Sequence, residues 1–157
     1  MTALLDNTVL SNFTIVERPD LVKRALAEET ATSEEAWHEL QAGIHIGKLP
    51  DVDWSWLRIL PLAENERPLY DLFTARLNAG EASCLAIAAQ REYRVFTDDW
   101  DARRLATARR IPVSGTLGIL SRLVDIEALT LAEADALLAR MIAANYRSPV
   151  ASLRELL

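Results

Sequence analysis

The chain has 157 residues, 50% of them hydrophobic and 25% charged, a balance that predicts one ordinary globular domain and excludes intrinsic disorder. Its formal net charge of −6 argues against a broad basic face that tracks a nucleic-acid backbone, although 15 of the 17 basic residues are arginines, whose guanidinium groups suit phosphate oxygens. No apolar run approaches the roughly 20 residues of a membrane span, and the amino terminus lacks the pattern of a signal peptide, so we expect a cytoplasmic protein with no membrane partner.

The first part of the chain predicts one strand followed by three helices. Ala3 to Leu5 is a short apolar strand that stops at Asp6, where the first helix is about to begin. The three helices are predicted over Thr8 to Val16, over Leu21 to Glu28, and from Thr32-Ser33 to about Ile44. Asp6 therefore stands at a strand end that faces a helix start.

The remainder alternates between strand-like and helix-like periodicity. Strands are predicted at Leu57 to Leu62, Tyr93 to Thr97 and Ile111 to Val113. Helices are predicted at Pro68 to Leu77, Glu81 to Ala89, Ala102 to Arg109, after Ser114-Gly115-Thr116, and at Leu131 to Asn145. Strands separated by helices imply a mostly parallel sheet with helices on both faces. With no internal repeat or linker, we predict a single domain over residues 1–157.

Three carboxylates crowd into four positions where the strand ending at Thr97 gives way to a helix, as Asp98-Asp99-Trp100-Asp101. Such crowding needs a cation or open water, and strand ends of α/β sheets are where ligand sites form. The segment therefore predicts a divalent-metal site. The arginines that follow it indicate either a phosphate-binding face or a solvated helix face; they are Arg103, Arg104, Arg109 and Arg110.

Two glutamates are predicted to point inward from helices. At 100° per residue, Glu39 lies beside the apolar arc of its helix, while Glu34 and Glu35 lie farther round toward solvent. Glu81 lies in the middle of an apolar arc, where a carboxylate is costly unless a cation or hydrogen bond meets it. The alternatives are a solvated acid for Glu39, a first-turn acid favoured by the helix dipole for Glu81, and a simple strand-end cap for Asp6.

Taken together, these acids favour magnesium or manganese, because hard oxygen ligands without Cys or His spacing disfavour zinc. His38 and His45 lack a third partner and are interpreted as surface residues, and Cys84 as a small reduced core residue. A metal held by carboxylates can activate water and offset the charge of a phosphodiester. The predicted chemistry is nuclease-type hydrolysis.

The ordered set of motifs resembles the PIN-domain family, and most closely its small prokaryotic toxin-type ribonucleases. The residues that carry the resemblance are Leu4-Leu5-Asp6-Asn7-Thr8-Val9-Leu10, Glu35-Ala36-Trp37-His38-Glu39-Leu40, Gly80-Glu81-Ala82-Ser83, Thr97-Asp98-Asp99-Trp100-Asp101-Ala102-Arg103 and Gly115-Thr116-Leu117-Gly118-Ile119-Leu120. The resemblance implies a three-layer α/β/α sandwich, an acidic pocket for Mg²⁺ or Mn²⁺, and endoribonuclease activity on RNA. It also implies a homodimer and an antitoxin protein as partner.

By position, Asp6 matches the first acid of the family and Glu39 its helix glutamate, while Glu81 stands where many members have aspartate. Since successive strand residues face opposite ways, either Asp98 or Asp99 could be the last ligand; Asp99 is favoured, with Asp98 or Asp101 supporting a second ion. The predicted catalytic residues are thus Asp6, Glu39, Glu81 and Asp99, and the predicted metal ligands are Asp6, Glu81, Asp98, Asp99 and Asp101.

The two alternatives to a nuclease are a phosphoacceptor switch and a non-catalytic binding module. A receiver-type phosphoacceptor switch would need a lysine late in the chain, and none follows Lys48. A non-catalytic PIN-like module that binds RNA or a partner protein remains open.

The carboxyl-terminal part predicts an interface. Beyond the long amphipathic helix, Val150, Leu153, Leu156 and Leu157 add apolar surface that one small domain is not expected to cover. We therefore expect a homodimer or a partner segment over this tail, against the alternative that the tail docks on its own domain.

Overall fold

A computed structural model describes residues 1–156, in which five short strands alternate with eight α-helices. The strands are β1 (Ala3–Leu5), β2 (Thr30–Ser33), β3 (Arg58–Leu60), β4 (Arg94–Phe96) and β5 (Val113–Ser114). The helices are α1 (Asn7–Ile15), α2 (Pro19–Ala25), α3 (Glu34–His45), α4 (Arg67–Phe73), α5 (Ala79–Arg91), α6 (Trp100–Ala108), α7 (Thr116–Asp125) and α8 (Leu131–Ala143). Short 3-10 helices lie at Glu64–Glu66 and Leu153–Leu156.

The sheet is wholly parallel, in the order β3-β2-β1-β4-β5, and separates two apolar layers. Ala3 and Leu5 of β1 face a core built with α1, α2, α7 and α8, whereas Leu4 faces a second core built with α4, α5 and α6. This alternation follows from the two-residue period of a strand. The predicted three-layer α/β/α sandwich with a parallel sheet is thus confirmed.

Strand β2 was not predicted, because its sequence Thr-Ala-Thr-Ser carries no large apolar residue. All four residues are nevertheless buried, since β2 lies between β1 and β3. Its polar side chains are satisfied locally: the Thr32 hydroxyl donates to the Leu5 carbonyl at 2.6 Å, and Ser33 Oγ accepts from the Ala36 amide at 3.0 Å. Hydrogen bonding thus lets a polar segment occupy the sheet interior.

Most predicted boundaries differ from the observed ones by one or two residues, and three of the differences have a clear structural cause. Helix α2 ends at Ala25 rather than Glu28, because the Glu29 carbonyl accepts a bond from Ala3 and the chain must already be extended. Helix α4 ends at Phe73 rather than Leu77, since the chain turns there into the start of α5. Strand β5 comprises Val113–Ser114 instead of Ile111 to Val113, because Val113 pairs with Val95 of β4.

Part of the carboxyl-terminal tail docks on its own domain, as the alternative interpretation expected, while the homodimer stays a prediction. Leu153 is buried in the first core, and its amide donates to Asp135 of α8 at 2.8 Å. The Ser152 hydroxyl donates to the same carboxylate at 2.7 Å. Leu156 remains half exposed, and Leu157 lies outside the described residues. Leu153 is therefore not available to a dimer interface.

None of the helices in residues 1–156 has the length and apolar character of a membrane span.

Because the strands are parallel, their carboxyl ends share one edge of the sheet. Asp6, Thr97 and Gly115 follow β1, β4 and β5 at that edge, and Ser33 ends β2 there.

Candidate active site

Asp6 is buried at the end of β1, where it caps helix α1. One carboxylate oxygen accepts hydrogen bonds from the Thr8 amide at 3.0 Å, the Val9 amide at 3.3 Å and the Thr8 hydroxyl. The other accepts from the Thr97 hydroxyl. Burial, aided by the charges of Asp98 and Glu81, raises the pKa of Asp6 from 3.8 to about 7, against the lowering effect of the threonine bonds. Asp6 therefore caps helix α1, as one interpretation of its position expected. It is also a carboxylate whose ionised form is destabilised by burial.

Asp98 is clamped between helices α1 and α7. Its oxygens accept from Asn12 Nδ2 at 3.0 Å, from the Thr116 amide at 2.8 Å and from the Thr116 hydroxyl. Its own amide donates to the Thr8 hydroxyl at 2.9 Å. Burial raises the pKa of Asp98, although Thr116, Arg103 and Asn12 oppose this change. The first acid of the doublet is thus rigidly held.

Asp99 takes a different direction from Asp98. It caps α6 by accepting from the Ala102 amide at 2.9 Å, and its amide donates to the Thr97 hydroxyl at 3.2 Å. The Thr97 hydroxyl therefore joins Asp6 to Asp99. Asp101 lies exposed in the first turn of α6 and shares no hydrogen bond with these acids in the part of the chain that the structure describes.

Glu81 satisfies both interpretations of its position. In the first turn of α5 it forms a capping box with Asn78: the Glu81 amide donates to Asn78 Oδ1 at 2.9 Å, and the Asn78 amide donates to Glu81 Oε2 at 3.4 Å. Asn78 Nδ2 also donates to Glu81 Oε1 at 3.1 Å. It is also only 7% exposed. Burial, with the charges of Asp99 and Glu39, raises the pKa of Glu81 to about 7. Glu81 is therefore directed into the same acidic site.

Glu39 reaches the site by contacting the start of α5. Its Oε1 accepts from the Gly80 amide at 2.7 Å. A β-carbon at residue 80 would lie 2.8 Å from both carboxylate oxygens, so the Glu39 carboxylate can occupy this position only beside a glycine. Burial and the neighbouring Glu35 raise the pKa of Glu39. The predicted inward direction of Glu39 agrees with this geometry.

The prediction that Glu35 faces solvent was wrong. Glu35 is half-buried, and its Oε1 is buried without a hydrogen-bond partner among residues 1–156. Helix α3 contacts α5 on one side and α1 on the other, so it buries a wider arc than one apolar stripe indicates. Glu34, by contrast, is exposed as predicted.

A cleft of about 720 Å³ opens beside Asp98 and Asp99. Arg103 lines it and is positioned by a bond from Nη1 to the Thr97 carbonyl at 3.0 Å. A β-carbon on Gly115 would lie 2.9 Å from that Nη1, so glycine is again required. Of the four arginines that follow the acids, only Arg103 lines this cleft; Arg104, Arg109 and Arg110 are exposed.

The cleft is also lined by the segment 146–149, which follows α8 and precedes the apolar tail residues that sequence analysis assigned to an interface. Tyr146 is half-buried, and burial together with the Asp98 charge raises its pKa above the ordinary value. No local pattern indicates this contact. It arises because α8 returns its carboxyl end to the carboxyl edge of the sheet.

Sequence analysis also missed the polar side chains that hold the acids. Thr8 and Asn12 lie four residues apart on α1 and therefore share one helix face, which points at Asp98. The helical spacing of this polar pair was an available signal. His38 and His45 are exposed, and the Cys84 thiol, whose pKa burial raises to about 12, is a core residue as predicted.

The chemistry of the donor set fits a hard divalent cation. The acids are carboxylates, and neither Asp6 nor Glu81 accepts a bond from lysine or arginine within residues 1–156. Their raised pKa values mark negative charge that a bound cation would stabilise. In the same residues, no three carboxylate, imidazole or thiol groups are already gathered as a ligand set.

Solved structures share this fold at low sequence identity. A PilT N-terminus domain protein from Sulfolobus solfataricus P2 is 10% identical, with a TM-score of 0.56 over 77% of this chain and 92% of that one. FitAcB from Neisseria gonorrhoeae is 18% identical, with a TM-score of 0.51 over 71% and 96%. VapBC2 from Rickettsia felis, solved with a DNA fragment from its promoter, is 16% identical, with a TM-score of 0.54 over 73% and 98%.

No curated protein matches the chain in sequence. A family model described as PIN domain (DUF3368), however, matches residues 2–157. The match spans nearly the whole sequence and agrees with the parallel sheet and its acidic carboxyl edge. The chain therefore belongs to the PIN-domain family.

Proposed function

We propose that this protein is a metal-dependent endoribonuclease that hydrolyses RNA phosphodiester bonds. The observation that supports it most is the placement of carboxylates from separate elements along one edge of the sheet, where burial raises the pKa values of Asp6 and Glu81 to about 7. Such values cluster at functional sites because structure alone gains nothing from uncompensated charge. Membership of the PIN family, many of whose members are nucleases, supports the same activity.

In this proposal Asp6, Glu81 and Asp99 hold the first Mg²⁺ or Mn²⁺ ion. Asp98 and Glu39 belong to its water shell or to a second ion, and exposed Asp101 contacts at most a hydrated ion. The ion, when bound, supplies an acidified water and neutralises phosphate charge.

The chain's own residues orient the acids and the substrate. The Thr97 hydroxyl holds Asp6 and Asp99 in fixed positions, and Asn12 with Thr116 does the same for Asp98. Arg103, fixed by the Thr97 carbonyl, places a positive charge at the cleft for a phosphate oxygen. Gly80 holds the Glu39 carboxylate at the opposite side of the site.

An antitoxin partner and a homodimer belong to the same proposal. The likeness to VapBC2 and FitAcB supports the first, and the family resemblance supports the second. A small reading frame next to this one, with a DNA-binding start and a disordered end, is the observation that would support the toxin role.

One observation favours a second candidate, a non-catalytic module that binds RNA or a partner protein. The carboxylates of Asp6 and Asp98 are already engaged by hydrogen bonds, and no ligand set is gathered in the described residues 1–156. The two candidates differ in turnover, which a cleavage assay measures.

The assay uses labelled single-stranded RNA with purified protein in Mn²⁺, Mg²⁺ or EDTA. We expect metal-dependent cleavage that Asp6→Asn, Glu81→Gln and Asp99→Asn each abolish, with circular dichroism unchanged because amide and carboxylate have nearly the same shape. Glu34→Gln is the matched control, since Glu34 is an exposed acid on the helix that carries Glu39. Cleavage retained by Asp6→Asn in defined metal would refute the assignment.

A further inference from the structure

Trp100 is the most exposed large hydrophobic residue in the described part of the chain, with 71% of its surface open. It belongs to neither apolar core. It also lines the cleft beside Asp98 and Asp99. An exposed indole beside polar groups is typical of a binding surface, because the ring gains by being covered and its N–H can still bond.

The position of Trp100 is fixed by the acids it follows. It begins α6, whose start Asp99 caps through the 2.9 Å bond from the Ala102 amide. Arg103 lies one turn later on the same helix face and also lines the cleft. Helix α6 therefore presents a planar ring and a guanidinium side by side, next to the carboxylates.

The segment after α8 that lines the cleft is also held by hydrogen bonds. The Tyr146 amide donates to the Met141 carbonyl of α8 at 3.0 Å, and the Ser148 hydroxyl donates to the Val150 carbonyl at 2.6 Å. Between them, Arg147 is exposed and lines the cleft. The same opening is thus lined by an aromatic platform, Trp100, and by a second arginine, Arg147.

These groups match one nucleotide of a single strand better than a protein surface. Unpaired bases stack on aromatic rings, and arginine binds the adjoining phosphates. A protein interface would be expected to join Trp100 to other exposed apolar residues. Of the exposed large hydrophobic residues in the described part of the chain, Trp100 alone lines this cleft, and Arg103 and Arg147 beside it supply the positive charge that suits a phosphate.

We infer that Trp100 stacks on an unpaired base next to the cleaved phosphate of single-stranded RNA, while Arg147 binds a backbone phosphate of the same strand. This inference rests on the proposed ribonuclease function and adds the site that selects its substrate. Trp100 and Arg147 are thereby specificity-determining and positioning residues, and hydrolysis itself belongs to the acids.

The test separates binding from cleavage by placing all variants in the full-length Asp6→Asn protein. Fluorescence anisotropy then measures the dissociation constants of labelled A, C, G and U octamers, and of an octamer that lacks bases. We expect Trp100→Ala to weaken binding of at least one intact octamer about tenfold or more, Trp100→Phe to retain most of the affinity, and the baseless octamer to show no difference. Leu72→Ala is the matched control.

Arg147→Ala is expected to weaken all octamers and to reduce the salt dependence of binding by about one counterion. Arg154→Ala, an exposed arginine farther along the same tail, is its matched control. Equal affinities for Trp100→Ala and its parent would overturn the stacking inference. So would binding of no octamer, or a Trp100→Ala variant changed only in light-scattering mass, which would place the indole in a protein interface.

The proposed function fails by a different result, namely absent Mn²⁺-dependent cleavage by the wild-type protein. Cleavage with normal binding by the Trp100→Ala variant would keep the function and reject the inference. Trp100-dependent binding without cleavage would keep the inference as a binding site and reject the enzyme.

Discussion

Asp6→Asn is expected to stabilise the metal-free protein at neutral and alkaline pH. The unfolded chain releases the Asp6 proton near pH 3.8, whereas the folded protein holds it to about pH 7. Between these values the unfolded state binds fewer protons, so the free energy of unfolding falls as pH rises and levels off above pH 7. At 1.36 kcal/mol per pKa unit, ionised Asp6 costs the fold up to about 4 kcal/mol by pH 8.

Asparagine removes the charge and preserves the contacts. Its carbonyl oxygen can still accept from the Thr8 and Val9 amides, and its amide can donate to the Thr97 hydroxyl. The free energy of unfolding of the variant should therefore equal that of the wild type near pH 4. At pH 8 in EDTA it should be about 2 to 4 kcal/mol higher than that of the wild type. A smaller slope remains in the variant because the pKa of Glu81 is also raised.

The assay is urea unfolding, followed by circular dichroism from pH 4 to pH 8, with EDTA or with Mn²⁺. Manganese at 100 times its dissociation constant should stabilise the wild type by about 2.7 kcal/mol and leave Asp6→Asn nearly unchanged. Glu34→Gln should follow the wild type throughout. A wild-type stability in EDTA that does not fall between pH 4 and pH 7 would refute the reasoning.

Three further predictions concern stability and assembly. Gly80→Ala should displace the Glu39 carboxylate, which a β-carbon would approach to 2.8 Å, and should lower cleavage, while the free energy of unfolding in urea titrations changes by less than about 1 kcal/mol because the carboxylate can rotate away; an unchanged cleavage rate would contradict the role of Glu39. Glu66→Ala should cost about 2 to 4 kcal/mol at pH 7, because Glu66 is 1% exposed and bonded to Arg91 at 2.7 Å. Burial raises the pKa of Glu66, but Arg91 and a backbone amide outweigh it, so this contribution should disappear as pH falls below 4, and a loss independent of pH would argue against the ion pair. Leu153→Ala should cost about 2 to 4 kcal/mol without changing the light-scattering mass, whereas a change in mass with no loss of stability would return the tail to an interface.

The sequence could predict the elements with regular apolar spacing and the acids that stand at strand ends. Periodicities of 2 and 3.6 residues identified β1, β4 and most helices, since their apolar residues are large and regularly spaced. Acids at strand ends could be assigned to one site because parallel strands bring their carboxyl ends together. Motif order was sufficient for the family resemblance, which the family match confirms.

Tertiary structure alone decided which polar residues are buried and what they bind. Strand β2 lacks large apolar residues and exists because its neighbours pair with it on both sides. Glu35 is half-buried because α3 packs on two helices, a fact that one helical stripe cannot encode. Asp98 is held by bonds from Asn12 and Thr116, which come from other helices, whereas Asp99 caps α6. Likewise Tyr146 joins the cleft through the return of α8, because such contacts depend on the path of the whole chain and not on local pattern.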